Sequence, residues 1–322
     1  MIVNGGELLA RALAEAGTTE VFTLHGGHLD AFLVACRRYG IRLTDTRHEA
    51  TAGHAADAYA RVTGNYGVCV VTSGPGFTNV YTALTNALLD RTPTVFVVGA
   101  PPMRETETNP LQGGFDQIAA AVPVTKWAYR ITDPARVPEI VALAIRKATT
   151  GIPGPVLLEV PIDVMFGEAD EDTVRFPVNY TLSARSGPTA AAVEAALDLL
   201  GEATNPAIVI GGGVTFSHAS EALVAFAETV DVPVFYPGKS DGAVPASHRL
   251  AGGGLLAIGS LPALGQPTPD VVFVVGARAG MFTGGRTSLF PGRGWFRSTS
   301  TRPKSDVCRM WTFRYLPTVE KR

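Results

Sequence analysis

The sequence is poor in cysteine: its 322 residues contain three, Cys36, Cys69 and Cys308, and they form no CxxC pair. An odd number of widely spaced cysteines argues against a disulfide-stapled secreted scaffold and against a cysteine-based zinc site. The N-terminus has no basic stretch followed by a long apolar run, as a secretory signal would have. We therefore expect reduced thiols and a cytoplasmic location.

Long apolar runs and a charge excess of one sign are also missing. No stretch approaches the roughly 18 uninterrupted apolar residues of a membrane-spanning helix, so we expect no membrane association. The formal net charge is -2 and the pI is about 6.3, which predicts that no nucleic acid is bound. Hydrophobic residues make up 46% and charged residues 17%, a composition typical of a globular chain.

The order of apolar and amphipathic stretches predicts the fold class. Short apolar runs alternate with helical patterns, as in parallel sheets covered by helices. Residues 176–188 are polar and contain proline and glycine, which is typical of a linker. We therefore predict an α/β protein with two doubly wound parallel-sheet domains, 1–175 and an incomplete Rossmann-like central domain over 189–291. The predicted helices span 4–16, 29–39, 48–62, 78–89, 134–149, 190–200 and 220–230; the predicted strands span 21–24, 41–45, 67–72, 94–98, 155–160, 207–210, 233–236 and 271–275.

The composition changes abruptly after Pro291. Residues 292–322 hold eight lysines or arginines against two acidic residues, and they include two of the three tryptophans, Trp295 and Trp311. They show no apolar periodicity. We interpret 292–322 as an aberrant basic tail without regular structure, produced by a shift of reading frame near Pro291; a nucleic-acid-binding tail is the less favoured interpretation.

Four short motifs follow one another in the first domain. They are Arg47-His48-Glu49, Gly53-His54-Ala55-Ala56-Asp57, Gly67-Val68 and Thr72-Ser73-Gly74-Pro75-Gly76. Each has a structural explanation of its own, since acidic residues favour the first turn of a helix and glycine-proline turns are common. Together and in this order they resemble the N-terminal domain of the thiamine-diphosphate enzyme family, which includes acetolactate synthase, pyruvate oxidase and benzaldehyde lyase. The resemblance runs from about Val3 to Asp163 and continues more weakly to about Pro291.

The resemblance implies a role for Glu49. In the family the glutamate at this position bonds to N1′ of the cofactor's aminopyrimidine ring and favours its imino tautomer, whose 4′-nitrogen then removes the thiazolium C2 proton. The residues that follow Glu49 in the sequence are small, which suits close packing of an apolar pocket around its carboxyl group. The other residues implied to contact the cofactor are Gly27, Thr72, Ser73, Gly74, Pro75, Gly76 and Asn79.

Two further residues, His28 and Gln112, indicate which members of the family the chain resembles most. His25 and His28 have no carboxylate or cysteine partner at metal-ligand spacing. The segments 24–30 and 109–117 look most like benzaldehyde lyase, in which the residues matching His28 and Gln112 face the substrate and relay protons. Acetolactate synthases usually have a proline-glycine pair where His25-Gly26 stands here. These features favour a lyase or ligase acting on 2-hydroxy ketones or aldehydes over an acetolactate-synthase-type transferase joining 2-keto acids.

One family motif is not found in the sequence. Relatives bind Mg²⁺, and through it the diphosphate, with a GDG motif in a third domain, and no GDG occurs here. We therefore expect no metal site in this chain, binding of the pyrimidine end of thiamine diphosphate only, and little activity of the chain alone. A non-catalytic fragment that dimerises or complements a diphosphate-binding chain is a third alternative. Gly211-Gly212-Gly213 is not a GxGxxG motif, so no FAD is expected, and the family implies a homodimer or tetramer.

Overall fold

The computed structural model describes residues 1–105, 112–181, 187–277 and 310–314, the last as backbone only, and they form two units, Met1–Ser183 and Ala184–Arg322. The first unit is built on a six-stranded, fully parallel sheet in the order β3-β2-β4-β5-β7-β6. Its strands are β2 (Glu20–Thr23), β3 (Arg42–Asp45), β4 (Gly67–Val71), β5 (Thr94–Ala100), β6 (Trp127–Arg130) and β7 (Pro155–Pro161), and a separate antiparallel pair joins β1 (Ile2–Asn4) to β8 (Glu168–Asp170). The predicted parallel α/β fold is confirmed.

Helices cover both faces of this sheet because its central strands are apolar on both sides. Successive residues of β4 alternate between two cores: Val68 and Val70 face one, while Cys69 and Val71 face the other. The first core is covered by α1, α2 and α6, and the second by α3, α4 and α5. These helices are α1 (Gly5–Glu15), α2 (Asp30–Arg38), α3 (Glu49–Thr63), α4 (Pro75–Asp90), α5 (Gln117–Ala121) and α6 (Val137–Thr149); a short α7 (Ile162–Met165) follows β7.

Asn4 followed three residues later by Glu7 is the pattern of a reciprocal capping box, and the start of α1 shows this box only in part. Asn4 caps the helix as expected, since its side chain accepts a hydrogen bond from the Glu7 amide at 2.8 Å. The Glu7 carboxylate, however, accepts from Arg38 and from the Tyr39 hydroxyl on the neighbouring helix region instead of returning to Asn4. A charged partner on a packed neighbour outcompetes the local backbone amide, so half of the capping box forms.

The second unit repeats the α/β arrangement. Its sheet has the order β11-β10-β9-β12-β13, in which β12 and β13 pair antiparallel and the other pairs are parallel. The strands are β9 (Pro206–Ile210), β10 (Val234–Tyr236), β11 (Ala251–Gly254), β12 (Val271–Val275) and β13 (Met310–Arg314), and the helices are α8 (Ala190–Gly201), α9 (Gly212–Phe216), α10 (Ser220–Val230) and α11 (Ala257–Ser260). Residues of α8 and α10 share one core with β9, and α11 shares the other.

The predicted tail has one described element. Within 292–322 the structure describes 310–314, which pair antiparallel with β12. This differs from the expectation of no regular structure, because β12 would otherwise present unpaired backbone groups at a sheet edge, and an extended segment can pair with them. The rest of the tail lies outside the described residues, and the reading-frame hypothesis stays a prediction.

Candidate functional site

Glu49 is the first residue of α3, at the carboxyl end of β3. The His48 ring nitrogen Nδ1 caps the helix by accepting from the Ala50 amide at 3.1 Å, so the chain turns inward at Glu49. The Glu49 side chain is 8% exposed, and its Oε2 accepts a hydrogen bond from Asn79 Nδ2 at 2.9 Å. Its Oε1 has no hydrogen-bond partner among the described residues. Glu49 therefore presents a largely desolvated carboxylate with one free acceptor oxygen.

The thiol of Cys69 is buried and close enough to Glu49 to be affected by its charge. Burial raises the pKa of Cys69 on β4, and the negative charge of Glu49 raises it further. The thiol stays protonated in consequence, so it adds no competing charge next to the carboxylate.

Close packing of α3 on α4 places Glu49 against Asn79. Gly53 lies one turn after Glu49, and a methyl group there would meet Ala83 Cβ at 2.5 Å and Val80 Cγ2 at 2.7 Å. Further along, Arg61 donates to Asp57 at 2.7 Å and to Asp90 at 2.5 Å, while Asn86 donates to Asp57 at 2.9 Å. The bonds from Arg61 to Asp90 and from Asn86 to Asp57 cross between α3 and α4 and, with the close packing at Gly53, hold the two helices in one register.

Gly53→Ala tests this packing. Alanine normally stabilises a helix interior by about 1 kcal/mol over glycine, whereas overpacking costs about 1–3 kcal/mol. We expect a net loss of about 1 kcal/mol, measured as a lower melting temperature of the first unit. Gly201→Ala is the matched control, because an added methyl group there meets nothing within 4 Å and should be neutral or stabilising. A stabilised Gly53→Ala variant would contradict the close approach.

The β4–α4 turn carries the predicted glycine-proline motif. Gly74 has φ +60° and ψ -105°, and a Cβ there would lie 2.8 Å from the Gln112 carbonyl oxygen, so both conformation and space require glycine. Pro75 opens α4, where its missing N–H costs nothing. Gly76 packs against Thr72, whose Cγ2 would be 3.0 Å from an added Cβ.

The structure brings His28, Thr72 and Gln112 together at this turn. Nδ1 of His28 lies 3.2 Å from Thr72 Oγ1, which lies 3.3 Å from Gln112 Oε1. The Ser73 hydroxyl donates to the Gln112 carbonyl. Burial lowers the pKa of the His28 imidazole, so the ring is neutral near pH 7.

Gln117 is a buried residue of this region that the sequence analysis missed. Its Oε1 accepts from the Gly74 amide at 2.8 Å, and its Nε2 donates to the Gly99 carbonyl at 3.1 Å and to Glu159 Oε1 at 2.8 Å. Glu159 is 1% exposed and is also paired with Arg130. The Gln117 side-chain amide thus forms hydrogen bonds to groups at or just after the carboxyl ends of β4, β5 and β7.

The tightly packed glycine of the 25–28 turn is Gly26. A Cβ at Gly26 would lie 2.4 Å from Thr72 Cβ, whereas Gly27, which was predicted to contact the cofactor, has nothing within 4 Å. Gly99 is constrained in the same way, since its Cβ would lie 2.8 Å from that of His28. The contact predicted for Gly27 stays a prediction.

Metal binding has little support in the described part of the chain. No group of three or more histidine, cysteine, aspartate or glutamate side chains there is arranged to hold a metal ion. His25 pairs with Asp30 at 2.8 Å on the surface. The described residues therefore do not fit a Mg²⁺ site. Nor is any described helix long and apolar enough to cross a bilayer.

In the glycine turn of the second unit, a neighbouring turn of the protein binds two of the backbone amides and occupies the space beside the glycines. The Gly211 and Gly213 amides donate to the carbonyls of Val275 and Gly276, both at 3.0 Å. A Cβ at Gly211 or Gly213 would lie 2.6 to 2.7 Å from the Gly276 carbonyl oxygen. These glycines permit two turns to pack together, which differs from a cradle of free amides around a phosphate.

Comparison with known proteins gives two family matches. The N-terminal TPP binding domain of thiamine pyrophosphate (thiamine diphosphate) enzymes matches residues 3–120, and the central domain of the same enzymes matches residues 193–296.

Individual relatives agree with these matches. The probable acetolactate synthase large subunit of Methanocaldococcus jannaschii is 35% identical over 280 residues, 86% of this chain and 47% of that protein. The acetolactate synthase large subunit of Corynebacterium glutamicum is 36% identical over 281 residues, 86% of this chain and 44% of that protein. The 2-hydroxyacyl-CoA lyase 2 of Mus musculus is 33% identical over 282 residues, 77% of this chain and 44% of that protein. The chain thus spans a little under half the length of these relatives.

Proposed function

The chain belongs to the thiamine pyrophosphate enzyme family, and we propose that it uses thiamine diphosphate to cleave or form a carbon–carbon bond in 2-hydroxy ketones or aldehydes. The observation that carries the proposal is the Glu49 carboxylate, 8% exposed, with one oxygen bound by Asn79 and the other without a partner among the described residues. A carboxylate oxygen without a protein partner can accept a hydrogen bond from a ligand, and a ring nitrogen that shares a proton can supply one.

Glu49 is the proton-holding group of the proposed site. Bound thiamine diphosphate supplies a nucleophilic carbon and an electron sink. Glu49 Oε1 holds a proton against N1′ of the aminopyrimidine, and Asn79 keeps Oε2 in place. We place the β4–α4 turn, with Ser73, Gly74, Pro75 and Gly76, beside the ring; Gly74 is required there by its positive φ and by the close approach of Gln112.

His28 and Gln112 favour the lyase or ligase direction. A partly buried, neutral imidazole can take and return the proton of a substrate hydroxyl, and Gln112 can orient an oxygen without titrating. The likeness to 2-hydroxyacyl-CoA lyase 2 supports this choice. The likeness to acetolactate synthases supports the alternative, a transferase that joins two 2-keto acids; the benzaldehyde-lyase comparison stays a prediction.

Product analysis separates the two activities. The chain is incubated with thiamine diphosphate, Mg²⁺ and either an aromatic 2-hydroxy ketone or pyruvate, alone and with the C-terminal half of the Methanocaldococcus jannaschii relative as a separate polypeptide. Because we expect little activity of the chain alone, aldehyde release from the hydroxy ketone is expected mainly with the second polypeptide present, and acetolactate from pyruvate would favour the transferase. Turnover that needs the second polypeptide would support the complementing-fragment alternative. Failure of both substrates under both conditions would contradict the proposed function.

Two associated proposals concern other partners. We propose that the second unit binds no FAD, since the amides of Gly211 and Gly213 already donate to the neighbouring turn. We also propose a homodimer or tetramer, as the family implies.

A further inference from the structure

Thr72 joins the two candidate proton-handling residues of the site. Its hydroxyl is 3.2 Å from His28 Nδ1 and 3.3 Å from Gln112 Oε1, and the residue is 6% exposed. Nε2 of His28 has no hydrogen-bond partner among the described residues. The polar chain therefore runs from one imidazole nitrogen through a single hydroxyl to an amide.

The three side chains are confined by their neighbours. Gly26 and Gly99 leave no room for larger residues beside Thr72 and His28, since added Cβ atoms would lie 2.4 Å and 2.8 Å from their respective Cβ atoms. Gln112 has φ +57°, and its carbonyl accepts from Ser73. The backbone around the three side chains is therefore closely packed.

Counting hydrogens along the hydrogen bonds from His28 through Thr72 to Gln112 decides which imidazole nitrogen is protonated. A threonine hydroxyl has one hydrogen to donate, and a glutamine carbonyl oxygen can only accept. If Thr72 donates to Gln112 Oε1, its oxygen must accept from His28, so Nδ1 carries the imidazole hydrogen. We propose that Thr72 is a positioning residue that fixes neutral His28 as the Nδ1–H tautomer and leaves Nε2 free to accept a proton.

The tautomer matters because the ring is neutral. Burial lowers the pKa of His28, so the doubly protonated form, which would hide the difference, is not the resting state near pH 7. The catalytic use of Nε2 rests on the function proposed above, whereas the tautomer itself does not.

Nitrogen-15 NMR of the whole chain, labelled at histidine, reads the tautomer directly. The sequence has six histidines, and the His28→Gln variant identifies the signals of His28. Near pH 7 we expect His28 to show a protonated Nδ1 and an unprotonated Nε2. A protonated Nε2 would mean that the Gln112 amide presents its NH₂ to Thr72, which reverses every donor and overturns the proposal.

Two substitutions test the part played by Thr72. Thr72→Val removes the hydroxyl at nearly constant volume and should shift His28 towards Nε2–H, while Thr72→Ser keeps the hydroxyl and should retain Nδ1–H. The signals of the other histidines report whether each variant is folded. A Thr72→Val spectrum with His28 unchanged would show that Thr72 does not set the tautomer.

Activity measurements keep the two proposals distinguishable. An Nδ1–H signal without turnover of either substrate would contradict the function and leave the tautomer standing. Turnover together with an Nε2–H signal would contradict the tautomer and leave the function standing.

Discussion

Replacing Glu49 with glutamine is expected to lower turnover by about 10²- to 10⁴-fold, the usual contribution of a positioned proton-transfer group. Glutamine keeps the volume of Glu49 and can still bond to Asn79, but it cannot give or take a proton near pH 7. Because its amide can also bond a ring nitrogen, we expect thiamine affinity to fall by less than turnover. The measurement is initial rate together with calorimetric affinity for thiamine.

The matched control is Glu221→Gln. Glu221 is an exposed glutamate at the second position of α10, in the first helical turn as Glu49 is in α3. Both substitutions remove the same interaction with a helix dipole, worth about 0.3–1 kcal/mol. If the two variants lose activity equally, or if Glu49→Gln stays within about tenfold of the unsubstituted chain, then Glu49 contributes only as an acidic residue of the first helical turn and the proton-transfer role is wrong.

Gln117→Leu is expected to destabilise the first unit by about 3–5 kcal/mol. Leucine leaves the Gly74 amide and the Gly99 carbonyl without their partners and removes one from the buried Glu159 carboxylate. Each unsatisfied neutral group costs about 1–3 kcal/mol, and a buried charge costs more. At about 2–4 °C per kcal/mol for a unit of this size, thermal unfolding should shift down by roughly 6–20 °C.

Gln266→Leu provides the comparison for this loss. Gln266 is exposed in the second unit, so its replacement should change stability by no more than about 0.5 kcal/mol. Gln117→Glu separates hydrogen bonding from charge, because a glutamate still accepts from Gly74 but places a second carboxylate beside Glu159. A Gln117→Leu variant as stable as Gln266→Leu would show that the Gln117 amide contributes nothing to holding the ends of β4, β5 and β7 together.

The features that could be predicted from the sequence are those with a local pattern. The strand–turn–helix alternation gave the parallel sheets, and Glu49 could be placed at a helix start because β3 ends just before it. The β4–α4 turn was visible as Ser73-Gly74-Pro75-Gly76. In each case the residues that matter are neighbours in the chain, so periodicity and turn chemistry report on them.

The features that escaped prediction depend on contacts distant in sequence. Gln117 is 43 residues from Gly74, and its role appears only once the order of β4, β5 and β7 is known. The short pair of β1 and β8 joins segments separated by most of the first unit, and neither segment is apolar enough to reveal it. The Asn4–Glu7 pattern misled in part because Arg38, on another helix, outcompetes the backbone for Glu7.

Both cysteines of the first unit are buried, so the rates at which they are modified measure how often the surrounding core opens. Burial raises the pKa of Cys36 to about 12 and raises that of Cys69 as well, with Glu49 adding to the second effect. Alkylating reagents react with thiolates, so they modify these positions only while the surrounding core is transiently open. Cys69 lies in the core on the Glu49 side of the sheet and Cys36 lies in the opposite core. A pocket ligand that tightens its own side of the sheet therefore slows modification of Cys69 more than that of Cys36, and the ratio of the two rates locates where the ligand acts.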